Sequence, residues 1–167
     1  RTFLDSVGYS QGELPTFVPR SYPAVWQGAS NNTADFEMDP QVVAQWDDHN
    51  PANTDIGIRQ SLQSIPTMSI VMNQSDLWDK TNGIYPNATS IGAAWERPGS
   101  IEYFDPATGE QFQYNVGVQM HGGSSRDNVR LKKHPFRLIF SGDFDGPNEL
   151  NFPLFGPEAS NNINTLV

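Results

Sequence analysis

The chain has 167 residues, a formal net charge of −9 and no cysteine. Its length predicts one domain, or one domain with an extended lead segment. The lack of cysteine excludes disulfides, cysteine-ligated zinc and a thiol nucleophile. The acidic balance argues against nonspecific binding to nucleic acid and docking on anionic lipid, so we expect neither a nucleic-acid nor a membrane partner. No apolar run approaches the roughly 18 residues of a membrane-spanning helix.

Residues 1–60 are predicted to be an irregular lead segment, rich in proline and aromatic residues. Proline removes a backbone donor and interrupts both helices and sheets. Single aromatic side chains would anchor this segment as it wraps over a core. Two short helices are predicted within it or at its end, one from Pro40 to Gln45 with Asp39 as its cap, and one within 55–63.

Residues 61–167 carry the strand signals. Strands are predicted at 65–72, 100–104, 112–120 and 135–140, and the first residues of a further strand at 163–167. A single helical turn is predicted at 75–78, turns at 83–86, 105–110 and 141–147, and irregular chain at 148–157. In 112–120 apolar residues alternate with polar ones, which places Phe112, Tyr114, Val116, Val118 and Met120 on one face. The pattern predicts an α+β fold of mostly short antiparallel strands with few short helices.

Positive charge is concentrated in one stretch. Half of the ten Lys and Arg residues lie between positions 126 and 137, namely Arg126, Arg130, Lys132, Lys133 and Arg137. One interpretation is a solvated hairpin tip whose cations pair with Asp127, Asp143 and Asp145. The other is a site for an anion.

The glycines before this cluster favour the anion site. Gly122 and Gly123 allow the backbone to approach a ligand, and successive N–H groups in such a turn can bind phosphate. Ser124 and Ser125 add hydroxyl donors, and a lysine on the next strand can reach in as a point charge. Protein kinases hold ATP with this order of glycine-rich loop and lysine. However, the stretch matches neither the Walker pattern nor GxGxxG, so both interpretations stay open.

The remaining polar clusters predict little chemistry. His49, His121 and His134 can titrate near neutral pH, but their spacing is not that of a metal site, so we expect ordinary polar histidines and no metal ligands. The acidic stretch 143–149 lacks the ligand spacing of a calcium loop and is predicted to be a turn. No nucleophile or acid–base pair stands out, so no catalytic residue is assigned.

Several short motifs follow one another in a fixed order from position 65. They are IPTMSIVM at 65–72, DLW at 76–78, GIYPN at 83–87, WERP at 95–98, GVQMHGGSSR at 117–126, KHPFRL at 133–138 and FPLF at 152–155. This ordered set resembles the CotH kinase-like family, in its large secreted form from environmental bacteria. The lead segment, with FLD at 3–5 and ADFEMDP at 34–40, is similar to those proteins as well.

The resemblance implies a divergent protein-kinase-like fold that binds ATP and magnesium and phosphorylates serine or threonine in proteins. It implies an extracellular, bacterial location. Carried over to this chain, the phosphate-facing loop consists of Gly122, Gly123, Ser124 and Arg126, and the nucleotide-holding lysine is Lys133. Two positions depart from the family pattern: Met120-His121 stands where a basic residue often precedes the glycines, and Pro135 stands where serine is common.

The family's catalytic aspartate and magnesium ligands lie further downstream, in its C-terminal part. Because the chain begins at Arg1 and ends at Val167, we expect an N-terminal portion whose parent is a kinase or pseudokinase. We expect that this portion is inactive alone, with the C-terminal part, neighbouring chains or a protein substrate as its partners.

A second hypothesis is a non-catalytic extracellular module for structure, assembly or binding. The lead segment could add itself to a neighbouring sheet as a strand. A third hypothesis is a carbohydrate-binding β-domain, with Trp26, Trp46, Trp78 and Trp95 as sugar platforms, although tryptophan more often packs in a core.

Overall fold

The computed structural model describes residues 40–46, 57–127, 133–160 and 162–167. They form an α+β fold with short helices α1 (Pro40–Trp46), α2 (Ile58–Ser64) and α3 (Gln74–Trp78). The strands are β1 (Thr67–Met72), β2 (Arg97–Phe104), β3 (Gln111–Met120), β4 (Phe136–Ile139), β5 (Leu150–Asn151), β6 (Asn162–Ile163) and β7 (Thr165–Leu166). None of the helices in these ranges has the length and apolar character needed to cross a bilayer.

Five of the strands form one sheet in the order β1-β2-β3-β4-β7. The β3 and β4 strands are antiparallel, with Gly117 opposite Ile139 and Met120 opposite Phe136. The β4 and β7 strands are also antiparallel, and Leu138 lies opposite Leu166. A separate two-stranded sheet pairs β5 with β6. The loop between β3 and β4 is therefore the connection of an antiparallel strand pair.

The chain divides into two compact units. The described part of the smaller unit covers 40–46, 57–69 and 102–112. There Tyr103 stacks on Phe112 with ring centroids 5.3 Å apart. Partial burial, with the nearby carboxylates of Asp105 and Glu110, raises the pKa of Tyr103. The larger unit contains the described residues 70–101, 113–127, 133–160 and 162–167.

The core of the larger unit is built around β3. Val116 and Val118 are fully buried and Met120 nearly so, as the alternation predicts, while Tyr114 is only half-buried. Gly117 and Gln119 are buried as well, so both faces of β3 are covered from position 116 onward. The other buried apolar residues of this unit are Ile84, Tyr85, Ala88, Ile101, Leu138, Phe140, Leu150 and Leu166.

The prediction for the end of the chain was wrong in detail. Residues 163–167 do not begin one strand, because Ile163 pairs with Leu150 in the small sheet while Leu166 pairs with Leu138 in the large one. The chain changes sheets at Asn164, whose carbonyl accepts the N–H of Phe140 at 2.9 Å. The stretch 148–157 is likewise not wholly irregular, since it contains β5.

Several sequence-based predictions lie outside the described residues. They include the lead segment at 1–39 and 47–56, the cap Asp39, and Trp26, His49, Arg130 and Lys132. The helix predicted from Pro40 is present and runs to Trp46, and the helix predicted within 55–63 begins at Ile58.

Candidate functional site

The glycine-rich loop, residues 121–127, continues directly from β3. The N–H of His121 donates to the carbonyl of Pro135 at 2.9 Å, which extends the strand pair by one step. Gly122 then adopts a φ of 104°, a conformation that residues with a side chain rarely adopt, and a Cβ there would overlap Ser125 Oγ. Ser124–Arg126 form a 3-10 turn. Glycine at 122 is therefore required by the turn itself.

Arg126 fastens this loop to the preceding part of the chain. Its Nε donates a hydrogen bond to the carbonyl of Gly122. Its Nη1 lies between 3.3 and 3.4 Å from three further carbonyl oxygens, those of Ala88, Thr89 and Ser90. A guanidinium group carries five N–H donors in a fixed plane, which suits it to bridging several acceptors. The Arg126 side chain thus positions the loop through backbone carbonyls.

Three of the four carbonyls that Arg126 binds, those of Ala88, Thr89 and Ser90, belong to the supporting segment, residues 79–97. Asp79 Oδ1 accepts the N–H groups of Asn82 and Thr81, each at 2.8 Å, and these two bonds lower the pKa of the Asp79 carboxyl. Asn87 Nδ2 donates to the carbonyls of Gly83 at 2.9 Å and Lys80 at 3.1 Å. Side-chain bonds to its own backbone therefore hold this segment in shape.

Arg97 closes the supporting segment in the same manner. Its Nη2 and Nε donate to the carbonyl of Asn82, at 2.8 and 3.2 Å. Its Nη1 donates to the carbonyls of Ala94 and Glu96, at 2.9 and 3.0 Å, and the guanidinium lies 5.4 Å from the Trp95 ring centroid. The arginine of the WERP motif thus stabilises the backbone of the supporting segment.

His134 fixes the other side of the glycine-rich loop. It is buried, and its Nδ1 lies 2.8 Å from the carbonyl of Ser125. A carbonyl only accepts, so Nδ1 carries the proton. The His134 ring lies 5.0 Å from that of Tyr85, which in turn lies 4.7 Å from Trp78. Burial raises the pKa of Tyr85 from 10.0 to about 12, opposed by a hydrogen bond from the His134 backbone.

Arg137, on β4, faces the first residue of the loop. Its Nη2 lies 3.1 Å from His121 Nδ1. Arginine only donates, so this histidine nitrogen accepts. Arg137 Nε is buried and has no hydrogen-bond partner among the described residues. Like Arg126, Arg137 is engaged with its own fold.

The residues that the sequence nominated fall into two groups. Gly122, Gly123, Ser124 and Arg126 lie together in one turn, and Lys133 is exposed three residues before β4. A Cβ built at Gly123 would meet no atom of the described residues within 4 Å, so none of them fills the space beside that glycine. Sequence reasoning missed the part played by Ser125 and His134, although both lie within the motifs of the resemblance.

The acidic residues and histidines do not gather into a metal centre in the part of the chain that the structure describes, where no group of three or more is found. The acidic stretch 143–149 begins with the 3-10 turn Gly142–Phe144, as predicted for a turn. Ser141 caps this turn by accepting the N–H of Asp143, and Asn148 Oδ1 accepts the N–H of Gly142 at 2.9 Å.

Comparison of the chain with protein-family models, curated proteins and solved structures returns no match. The resemblance to CotH-like proteins therefore stays a prediction from the ordered motifs.

Proposed function

We propose that this chain supplies the nucleotide-facing part of a secreted, bacterial CotH-like protein. The parent would be an ATP-dependent protein serine/threonine kinase or a pseudokinase with a divergent kinase-like fold. The observation that carries the proposal is the glycine-rich loop, which connects the antiparallel strands β3 and β4, with an exposed Lys133 leading into β4. A glycine-rich strand connection followed by a lysine is the arrangement with which kinases hold ATP phosphates.

The backbone of the loop fits a phosphate group. Within the described residues, the N–H groups of Gly122, Gly123 and Ser124 donate to no protein acceptor. The open space beside Gly123 lets a ligand oxygen approach these donors. Successive free N–H groups in a tight turn form a concave site for an anion. The Lys133 ammonium would add a positive charge in a protein whose net charge is −9.

Arg126 enters the proposal in a different role from that implied by the resemblance. Its guanidinium is engaged with the carbonyls of Gly122 and of the supporting segment. We therefore assign it as a positioning residue that holds the loop open toward the ligand, while the backbone N–H groups and Lys133 contact phosphate.

Magnesium would reach the site with ATP and would neutralise part of the charge on its phosphates. The described carboxylates do not form a cluster that would hold the ion by themselves. In the family, the residues that bind magnesium and orient the acceptor hydroxyl lie in the C-terminal part. The role that we propose for the residues of this chain is accordingly the binding of nucleotide phosphates.

Calorimetric titration with MgATP tests the proposal, on this chain and on a longer chain that continues past Val167. We expect Lys133→Ala to weaken binding by about tenfold or more, a loss of about 1.4 kcal/mol. Lys80→Ala is the matched control, because Lys80 is also an exposed lysine but lies in the supporting segment. Equal affinity of the Lys133→Ala and unmodified proteins would reject the site, and no heat with either chain length would reject nucleotide binding.

A second candidate function, an extracellular assembly module, is favoured by the sheet edge at β1. This strand lies at one end of the sheet order and has no charged residue, while Ile70 and Val71 are 36% and 57% exposed. Uncharged edges invite pairing with a further strand. Light scattering should then show a mass that rises with concentration and falls in Val71→Lys. Ile91→Lys is the control, and a monomer at every concentration would contradict assembly.

A further inference from the structure

A shallow cleft lies beside the first half of β3, at the end remote from the glycine-rich loop. It has a volume of about 420 Å³. Its lining is formed by Gln113, Tyr114, Asn115, Asp145, Gly146 and Pro147. This volume lies within the range of roughly 300–1,000 Å³ that is typical of small-molecule sites. Five residues of extended chain, or about 17 Å, separate Asn115 from Met120, the last residue of β3 before that loop.

The cleft exists because β4 does not accompany β3 over its whole length. Their pairing ends at Gly117 opposite Ile139, and the chain then turns through Gly142–Phe144. It returns to β3 at Gly146, which packs so closely that a Cβ there would overlap the carbonyl of Asn115. The Phe144 ring lies equally close over Gly117. Two close contacts thus fix the turn against the strand, and the walls of the cleft are preformed.

Asp145 occupies a costly conformation at the rim of this cleft. Its φ of 57° makes it the single non-glycine residue with positive φ in the described ranges. The left-handed conformation costs a residue with a side chain roughly 1–2 kcal/mol, although aspartate tolerates it better than most. Asp145 is the C-terminal cap of the 3-10 turn Gly142–Phe144, and its N–H donates to the carbonyl of Gly142 at 3.1 Å. Here the side chain is an exposed carboxylate on the cleft.

The lining groups define the chemistry of a fitting ligand. They comprise one phenol ring, one proline ring, two carboxamides and one carboxylate, with no cationic side chain. Without a positive charge the cleft is unsuited to phosphate or other anions. The planar carboxamides and the carboxylate present paired donors and acceptors to neighbouring hydroxyl groups. The rings of Tyr114 and Pro147 belong to the same lining, and ring carbons are a suitable contact for the C–H groups of a ligand.

We propose that this cleft binds a neutral saccharide. Tyr114 and Pro147 contact the apolar face of a sugar ring, while Gln113, Asn115 and Asp145 hydrogen-bond its hydroxyl groups. The site is distinct from the glycine-rich loop and does not depend on nucleotide binding. It would give the protein a means of attachment to glycans, with a low affinity because the cleft is open to solvent.

Nuclear magnetic resonance titration of the full chain tests this site. The probes are cellobiose, maltose and chitobiose. An oligolysine peptide is the alternative ligand, because the Asp145 carboxylate in the cleft could instead bind a cation. We expect at least one disaccharide to shift the amide signals of residues 113–115 and 145–147 in a saturable manner. Tyr114→Ala and Gln113→Ala should each weaken that binding by about tenfold or more. Asp145→Asn, which also tolerates the left-handed backbone, should weaken it as well.

The matched control is Gln111→Ala, an exposed glutamine two residues earlier on the same strand and outside the cleft, which should leave binding unchanged. Unchanged amide signals with all three disaccharides would overturn the proposal. Shifts caused by oligolysine alone would also overturn it, and would identify a site for basic peptides. Equal weakening by Gln111→Ala and Gln113→Ala would place the sugar elsewhere.

Discussion

Two arginines of the basic cluster serve the fold rather than a ligand. Arg126 donates to carbonyls in the glycine-rich loop and the supporting segment, and Arg137 donates to His121. Lys133 is exposed, so it differs from both in its surroundings. At the scale of single residues, the members of the cluster that the structure describes therefore differ in role: Arg126 and Arg137 bind groups of their own fold, and Lys133 is exposed.

Replacing Arg126 and Lys133 separately by methionine should distinguish the structural role of the first from the exposed position of the second. Arg126→Met keeps the aliphatic stem but removes every donor to the four carbonyls, and we expect a loss of about 1–3 kcal/mol in the free energy of unfolding. Lys133→Met makes the same change of charge at an exposed site and should alter stability by about 0.5 kcal/mol or less. Urea denaturation measures both. Equal losses would contradict the positioning role of Arg126.

Tyr85 predicts a pH dependence of stability. Its pKa is raised from 10.0 to about 12 in the folded protein because burial disfavours the phenolate. The folded state therefore holds the proton more tightly than the unfolded chain. The resulting stabilisation is complete below pH 10 and is lost as the pH rises toward 12.

Thermal denaturation across this alkaline range measures the effect of Tyr85. Phenylalanine has no hydroxyl group that can ionise, so in Tyr85→Phe the decline in the free energy of unfolding between pH 10 and 12 should be shallower. A decline as steep as that of the unmodified protein would show that other groups cause it.

At the scale of elements, the glycine-rich loop is held by hydrogen bonds to the supporting segment. Within that segment, Gly83 packs closely against the backbone of Asp79. A Cβ on Gly83 would lie 2.5 Å from both the N and the O of Asp79, which are backbone atoms and cannot rotate away. We expect Gly83→Ala to reduce the free energy of unfolding by about 1–3 kcal/mol. In Gly142→Ala the nearest atom, Asn148 Oδ1, is 3.4 Å away, and the change should be small. Chemical denaturation compares the two, and a similar stability of both variants would refute this packing.

The strands were predictable from sequence to the extent that local pattern determines them. Alternation along β3 correctly placed Val116, Val118 and Met120 in the core. It did not predict the burial of Gly117 and Gln119, because covering the second face depends on Phe144 and on Gly92, whose carbonyl accepts from Gln119 Nε2. The division of 163–167 between two sheets was hidden for the same reason, since each partner strand lies far away in sequence.

The sequence predicted which residues form the candidate site, but it did not predict the contacts that hold them in place. Glycine content and positive charge predicted a site within 122–133. The hydrogen bonds from Arg126 to the carbonyls of Ala88, Thr89 and Ser90 join residues more than 35 positions apart, so no local sequence pattern predicts them. The motifs at 83–87 and 95–98 mark the supporting segment, whose role emerges only from its contacts.

At the scale of the whole molecule, the two ligand sites that we propose both lie in the larger unit and use different residues. The proposed phosphate site consists of backbone N–H groups of the glycine-rich loop, with the exposed Lys133 in the same strand connection. The cleft beside the start of β3 offers carboxamides, a carboxylate and an aromatic ring, which suits a neutral ligand. An acidic protein with one basic loop would direct anionic ligands to that loop. Binding of nucleotide and of glycan can therefore be tested independently.

The central claim is that the backbone of the glycine-rich loop receives phosphate, and amide chemical shifts test it most directly. On titration with MgATP, we predict that the N–H signals of Gly122, Gly123 and Ser124 shift together and saturate. Adenosine, which lacks phosphate, should leave them unmoved. Signals that do not respond to MgATP, or that respond equally to adenosine, would contradict the account.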